Sequence, residues 1–404
     1  MKLAVTGVGI VSPLGHNLEI NLNNLKSMQV PLRDGAPSDD FCANLINTDK
    51  FFSADYADAD LSPFFDRRDL RYADPICKTS MLAVDEALQQ SGWGAELPKD
   101  TGVWVGSIQG GRTSEMSWIM KIMNGRDKIH PNSLLNSAHE YVSNVISQHY
   151  KLHGVCNVIA ATCISGVQAL QSAHDNLVTT GNDVAIVGAT DFMTTSTTLF
   201  YFQQLGAFSS TPKSTPWDVD RDGIIMGEGS AYLIVEPLDK AEARGAPIRW
   251  VIDGIGIASD SYHPTQPDPE GTGGNIAIKQ AMEQAGTIGV DYSVFNAHAT
   301  GTDVGDPIEY NVLKKYFPRG KLYSNKGQIG HMMGASCMAE LVLGAEAMCA
   351  GWVPGNAGLV TAFTDDEHFE LPRDAQDHEY SRMMKTSFGF GGRSSAVSVY
   401  KYEG

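Results

Sequence analysis

The chain has 404 residues, 42% of them hydrophobic, and a formal charge of −17. So much apolar sequence exceeds what one core of a hundred-odd residues holds, so two domains or a fused double unit are expected. The negative charge argues against general binding to nucleic acid or to an anionic membrane surface, and no apolar run approaches the roughly 18–20 residues of a bilayer span.

The chain opens on the apolar run 3–11, too short and too glycine-rich for an export segment. Buried-type strands are predicted over 2–8, 102–105, 155–160, 183–187 and 231–235. Between them, 80–90 and 166–178 carry apolar residues at helical spacing, for example Val167, Leu170, Leu177 and Val178. This alternation predicts an α/β architecture. The acidic, aromatic stretch 39–74 reads as a surface excursion. Cys42, Cys77, Cys156, Cys163, Cys337 and Cys349 include no C-x-x-C pair, so neither a disulfide framework nor a zinc site is expected, and a reducing cytoplasm fits best.

A duplication is also legible. Val5-Thr6-Gly7-Val8-Gly9-Ile10 is echoed by Ile252-Asp253-Gly254-Ile255-Gly256-Ile257, and each copy opens one half of the chain. Each half later shows a small-residue turn before a helix: 161–166 in the first, 330–335 in the second. Halves of 1–250 and 251–404 follow.

The segment 155–170 runs from an apolar strand through small residues into an amphipathic helix, with Cys163 at the junction. A helix N-terminus presents free N–H groups and a partial positive charge, so a depressed thiol pKa and a nucleophilic sulfur are expected there. Cys156, inside the strand, reads as packing.

In the second half, His298 follows a strand predicted over 293–297, and His331 lies between glycines before a helix over 335–350. Condensation of thioesters by decarboxylation needs a nucleophile for one acyl group and hydrogen-bond donors on the thioester carbonyl of the other. Two neutral imidazoles would serve. Lys326 would discourage their protonation and tie down Glu340. No H-E-x-x-H or comparable cluster points to a metal. Near the C-terminus, the glycines of 386–392 let backbone approach a ligand. Phe390 among them would act as a gate or lend its N–H to an oxyanion.

Together these segments resemble the β-ketoacyl-acyl-carrier-protein synthases of the thiolase superfamily, the elongating condensing enzymes in particular. Thr162-Cys163-Ile164-Ser165-Gly166 is similar to the family's nucleophile turn. His298-Ala299-Thr300-Gly301-Thr302, with Asp306 and Glu309, is similar to its first histidine motif. Lys326, His331 and Glu340 match its lysine–histidine–glutamate spacing, Phe388-Gly389-Phe390-Gly391-Gly392 its gating loop, and 216–223 with 227–229 another shared segment.

The resemblance implies a five-layer αβαβα fold of two similar halves and a homodimer, or a heterodimer with a homologous subunit. It implies a ping-pong reaction with acyl- and malonyl-loaded acyl carrier protein. Cys163 would hold the acyl group, His298 and His331 with Lys326 would assist decarboxylation, and the Cys163 and Phe390 N–H groups would bind the oxyanion, with Phe388 and Gly391 in the gating loop. Glu340, Asp306, Thr300 and Thr302 would support them. No cofactor is implied. Ile108, Gln109 and Phe202 would line the acyl pocket. Arg393-Ser394 stands where Thr-Asn is usual, and Gln109 stands where an apolar residue is common; Gln109 hints at a polyketide or polyene chain. The carrier is acidic, so Arg67, Arg68 and Arg71, or Lys121, Arg126 and Lys128, would dock it.

Three other readings compete. A non-catalytic chain-length partner subunit would lack the cysteine. A coenzyme A thiolase would need a second cysteine near the C-terminus. A dinucleotide enzyme would need a third glycine after Gly7 and Gly9, where Ser12 stands.

Overall fold

The computed structural model describes residues 1–94, 96–126, 128 and 133–404. Its frame is two five-stranded sets with the same topology. The first comprises β1 (Leu3–Val11), β2 (Gly102–Gly106), β3 (Cys156–Ile159), β4 (Ala185–Asp191) and β5 (Gly229–Pro237), in the spatial order β3-β2-β4-β5-β1. The second comprises β6 (Trp250–Ser259), β7 (Val294–Asn296), β8 (Gly320–Tyr323), β9 (Arg382–Gly389) and β10 (Arg393–Lys401), in the order β8-β7-β9-β10-β6. In each set the first three strands named are parallel and the last two run antiparallel to their neighbours. The sets join edge to edge, Leu3 opposite Ile252, in an eleven-stranded sheet with the short strand Phe369–Glu370 at one edge and β3 at the other.

Most of these strands read as continuous apolar runs because both faces are covered. Helices α1 (Pro75–Ser91) and α2 (Tyr141–Tyr150) cover one outer face, around Ile76, Val84, Val103, Val105, Ile146 and Ile186. Helices α3 (Ser165–Thr180) and α6 (Ser336–Cys349) share the central core, where Val167, Leu170 and Leu177 meet Met338, Leu341 and Val342. Helices α4 (Thr272–Ala285) and α5 (Gly305–Tyr316) cover the other outer face, around Ile278, Phe295, Leu313 and Phe317. The result is the five-layer αβαβα arrangement.

The hexapeptide echo has a steric cause. A Cβ on Gly7 or Gly9 would come within 1.9 Å of the Ala87 or Ala83 carbonyl oxygen of α1. On Gly254 or Gly256 it would come within 2.0 or 1.9 Å of the Ala281 or Ala277 oxygen of α4. The G-x-G pairs therefore seat equivalent helices against equivalent strands, and they are unrelated to a phosphate loop.

The expected strands and helices are present with shifted ends. β1 runs on to Val11, and α1 begins at Pro75, where the Asp74 carboxylate caps it by accepting from Ile76 N. The excursion 39–74 holds only short elements, among them the helix Arg67–Tyr72 capped by Asp66. Among the described residues no helix is long and apolar enough to cross a bilayer. The residues singled out for chemistry follow parallel strands: Ile108 and Gln109 after β2, Cys163 after β3, His298 after β7, His331 after β8 and Phe390 after β9. The C-terminal ends of parallel strands are where open α/β sheets gather their ligand-binding residues.

Candidate active site

Cys163 stands two residues ahead of α3, in a turn where Thr162 takes a left-handed conformation, φ 52°. Such a backbone costs energy for a residue with a Cβ and persists only where its surroundings impose it. Here Ser165 closes the turn, its Oγ accepting from Ala161 N at 2.9 Å and donating to Thr162 O at 2.6 Å. Thr162 Oγ1 donates to Phe390 O at 3.3 Å. A Cβ on Gly166 would lie 2.2 Å from Met338 and 3.0 Å from Cys337 Sγ, so glycine is needed where α3 crosses α6. A Cβ on Gly389 would lie 2.3 Å from Thr162 Oγ1, so the chain leading into Phe390 rests on the same turn.

His331 occupies the matching place in the second half, ahead of α6, and its turn also contains a left-handed non-glycine residue, Met333 at φ 51°. The duplicated fold thus points two helix entries at each other. His331 Nε2 lies 3.2 Å from Cys163 Sγ, and the His298 and His331 rings approach edge to face at 5.3 Å. One nitrogen of each ring and the sulfur all fall within 4.8 Å of one another.

The hydrogen-bond partners decide the tautomers. Met333 N donates to His331 Nδ1 at 3.2 Å, and Ser336 Oγ lies 2.9 Å from the same atom. Lys326 Nζ, which has no acceptor capacity, lies 3.3 Å from His298 Nδ1. Each Nδ1 is therefore an acceptor, and each Nε2 carries the proton. Two N–H donors beside one sulfur suit the stabilisation of a carbonyl oxygen as it gains negative charge.

Their supports are buried and charged. Lys326 donates to the His298 carbonyl at 2.5 Å and forms an ion pair with Glu340. The Glu309 carboxylate accepts from His298 N at 2.8 Å, Ala299 N at 2.7 Å and Thr386 Oγ1 at 2.6 Å, which fixes the His298 turn. Asp306 accepts from Trp217 N at 3.0 Å and Gly301 N at 3.1 Å. Thr300 and Thr302 hydroxyls meet at 3.2 Å, and Thr302 caps Gly305 N. These three residues shape the loop around His298. Burial holds both histidines well below the ordinary imidazole value, and Lys326 adds to this at both.

The thiol departs from expectation. Burial pushes Cys163 up to about 12, with the Lys326 ammonium pulling the other way. The helix-entry argument alone gives the opposite sign. It misses the apolar wall around the sulfur, to which Phe51, Met193, Leu199, Ile224, Met226 and Met333 contribute with Ile108 and Phe202. Cys156, by contrast, lies in β3 as expected.

The remaining expected site residues separate into two groups. Ile108 and Phe202 lie in the apolar cluster with Cys163. Phe390 is 38% exposed, with its ring 6.1 Å from that of Phe202. Gln109 follows Ile108 in the loop after β2, and its side-chain oxygen is buried with no hydrogen-bond partner among the described residues. Phe388, expected beside Phe390 in the gating loop, instead packs into the outer core, where a Cβ on Gly274 would come within 2.4 Å of its ring. The Gly391 N–H is committed to Pro264 O at 2.8 Å, so it has no proton to offer an oxyanion.

Two residues of the site were not expected. Asp191, at the end of β4, accepts from Ser107 Oγ, Ile108 N, Gln109 N and Gly334 N at 2.8–3.2 Å, joining the 107–109 loop to the His331 turn. Lys385, in β9, lies 2.7 Å from Glu340 Oε2. An acid at a strand end, and a lysine in the apolar run Met383-Met384-Lys385, were the available signals.

Of the two basic groups considered for docking, the arginines and Lys121 lie close together. Arg67, Arg68, Arg71 and Tyr72 line a shallow cavity of about 350 Å³. Tyr72 stacks on Trp118, and Lys121 Nζ sits 4.0 Å over the same indole.

Comparison with known proteins matches residues 1–241 to the N-terminal domain of β-ketoacyl synthases and residues 250–360 to the C-terminal domain. A 3-oxoacyl-[acyl-carrier-protein] synthase 2 of Coxiella burnetii is 28% identical over 98% of this chain and 97% of its own length. A β-ketoacyl synthase from Burkholderia phymatum superposes over 100% of both chains with a TM-score of 0.89 at 24% identity. A type II polyketide acyl-carrier protein complexed with its ketosynthase, which is bound to a hexaketide, gives a TM-score of 0.84 at 19% identity over 100% of this chain and 99% of that one.

Proposed function

Since the chain belongs to the β-ketoacyl synthase family, we propose that it lengthens acyl chains carried on acyl carrier protein by decarboxylative condensation, with Cys163 as nucleophile. The observation that carries the residue assignment is the 3.2 Å approach of His331 Nε2 to Cys163 Sγ, with His298 beside both.

In the first half-reaction, Cys163 sulfur attacks the acyl thioester carbonyl, the carrier's sulfur leaves and takes up the thiol proton, and the acyl group stays on Cys163. The Cys163 and Phe390 N–H groups serve the oxyanion of this step. Malonyl carrier protein then binds with its thioester oxygen at the two Nε2–H donors. The bond to the malonyl carboxylate breaks, carbon dioxide leaves, and the electron pair passes into an enolate held by those donors. The enolate carbon attacks the acyl-enzyme carbonyl, the Cys163 sulfur departs with its electrons and takes up a proton from water to restore the thiol, and 3-oxoacyl carrier protein is released. Residues 1–250 supply the nucleophile and residues 251–404 both imidazoles.

The Arg67–Lys121 surface is the proposed docking site for the acidic carrier. Gln109 favours a polyketide or polyene intermediate over a saturated chain. A homodimer is the working assembly, with a homologous subunit as the alternative partner. The six free cysteines fit a reducing cytoplasm. The rival reading, a non-catalytic chain-length subunit, has no explanation for an intact cysteine–histidine–histidine cluster.

Intact-mass analysis after incubation with a panel of acyl carrier proteins tests the proposal. A covalent acyl adduct that disappears in Cys163→Ala is expected, and its mass identifies the chain. Failure of every donor to leave an adduct would overturn the enzyme reading.

A further inference from the structure

Strand β9 is interior, with β7 on one side and β10 on the other, and Lys385 sits in it opposite Asn296 and Val397. Its side chain is fully buried. A lone ammonium could not persist there. Its partners are Glu340 Oε2 at 2.7 Å and the Thr386 carbonyl at 2.5 Å. Lys326 takes the other Glu340 oxygen. One carboxylate is thus bracketed by two buried ammonium groups.

The arrangement reaches both imidazoles. Lys326 touches His298 at Nδ1 and at its carbonyl. Thr386, next to Lys385, donates its hydroxyl to Glu309, which in turn holds the His298 and Ala299 N–H groups. We propose that Lys385 is a positioning residue for the condensation: it holds the far oxygen of Glu340 so that the Glu340–Lys326 pair keeps its geometry, and its positive charge keeps His298 and His331 as neutral N–H donors. The inference rests on the condensing reading of the site and adds a residue to it.

The sign follows from the charges facing the two rings. Lys326 comes from the segment after β8 and Lys385 from β9, and both disfavour an imidazolium. Glu340 from α6 and Glu309 from α5 favour one, but each is engaged, Glu340 by the two lysines and Glu309 by two N–H groups and a hydroxyl. Cys163, Cys337, Asp191, Asp306 and Tyr323 are further titratable groups of this interior, and burial lowers the Lys385 value against the pull of Glu340. Burial pushes the two thiols up to about 12 and about 11, and Asp191 up to about 6. Removing the Lys385 charge leaves one cation opposite Glu340 and lets the imidazoles take up protons at higher pH.

The test is the pH dependence of malonyl-carrier decarboxylation in the full-length protein and in Lys385→Met, Lys385→Gln and Lys385→Arg. Histidine titration is followed in parallel by nitrogen-15 NMR, with His298→Asn and His331→Asn as assignment controls. In the wild type, the acid limb and both midpoints are expected below the ordinary value of about 6.5. The two neutral variants should raise them by about one pH unit, with the loss confined to pH below the raised midpoints, where it approaches about tenfold, and little loss at about pH 8. The arginine variant should return them toward wild type. A uniform loss across pH with unmoved midpoints marks a merely structural residue and overturns the proposal. Wild-type midpoints at or above 6.5 overturn it even if no neutral variant folds. The NMR arm needs no turnover: shifted midpoints in a protein that never decarboxylates uphold the role of Lys385 while the condensing reading falls.

Discussion

The backbone N–H of Met333 points at Nδ1 of His331 from 3.2 Å, and this one contact fixes which nitrogen faces the Cys163 sulfur as a donor. A backbone donor cannot rotate away as a hydroxyl can. Met332, at φ −80° and ψ 21°, turns the following peptide so that this N–H reaches back to the side chain two residues earlier. Lys326 imposes the same tautomer on His298 by different means.

The first prediction concerns these donors. His298→Ala and His331→Ala should each lower condensation by at least about 100-fold, the usual cost of losing an oxyanion donor. Both variants should still acquire an acyl group on Cys163. Asn in either place, which keeps an N–H donor, should retain more activity than Ala. Release of labelled carbon dioxide together with intact-mass measurement separates the two half-reactions. Loss of acylation in step with decarboxylation would contradict the division of labour.

A second prediction follows from the thiol. Burial holds Cys163 up at about 12 and Lys326 pulls it down, so the protonated form predominates at neutral pH. Only the thiolate reacts with an alkylating agent, so the rate should climb by about tenfold per pH unit from 6 to 9 with no plateau. The pH profile of iodoacetamide inactivation reads this directly. Levelling below pH 7 would mean that the entry of α3 outweighs burial.

Much of this arrangement was legible in the sequence, for local reasons. Cys163, His298 and His331 stand in small-residue turns after strands, and turn chemistry is encoded within a few residues. The G-x-G echo disclosed the duplication because a close helix–strand approach tolerates nothing larger than glycine. What depends on distant segments was not legible. The sign of the Cys163 shift comes from Phe51, Met193, Leu199 and Ile224, which the fold gathers around the sulfur. Phe388 and Phe390 look alike as sequence. β9 ends at Gly389 and the chain turns there, so one ring enters the outer core and the other faces Phe202. Asp191 and Lys385 act through partners far away along the chain, and only the register of the sheet and the crossing of the central helices bring those partners near.

Asp191 supplies a third prediction. Its carboxylate collects four donors from the 107–109 segment and from Gly334. Asp191→Asn turns an NH₂ toward some of those donors and strands them in a buried site, at about 1–3 kcal/mol for each unsatisfied group. Thermal unfolding should begin several degrees lower. Acylation of Cys163 should also slow, because the 107–109 loop and the His331 turn lose their common anchor. An unchanged midpoint would mean that the loop is held by other contacts.

The basic surface gives a fourth. Arg67→Glu with Arg68→Glu should raise KM for carrier-linked substrates and leave turnover of small thioesters unchanged, since a docking patch acts on encounter and orientation. Raised salt should imitate the substitution, because exposed charges are screened over about 8–10 Å. Lys121→Glu should act in the same direction, as Lys121 and the arginine helix meet across Trp118 and Tyr72. Equal loss on both substrate types would place carrier docking elsewhere.

The last prediction concerns chain selection. Among the described residues the Gln109 side-chain oxygen is buried without a partner, and the preceding residue, Ile108, belongs to the apolar wall around Cys163. An unpaired buried acceptor costs about 1–3 kcal/mol unless a ligand supplies the donor, so a hydroxylated or otherwise polar intermediate gains where a plain alkyl chain does not. Gln109→Leu removes the stranded acceptor at nearly constant volume. The variant should therefore be at least as stable as the parent and should shift acylation toward saturated chains of eight to fourteen carbons by about tenfold, on the order of 1.4 kcal/mol. Competition between saturated and unsaturated or oxygenated acyl carriers, read by intact mass on Cys163, measures the ratio. A parent protein that already prefers saturated chains would remove Gln109 from any role in selection.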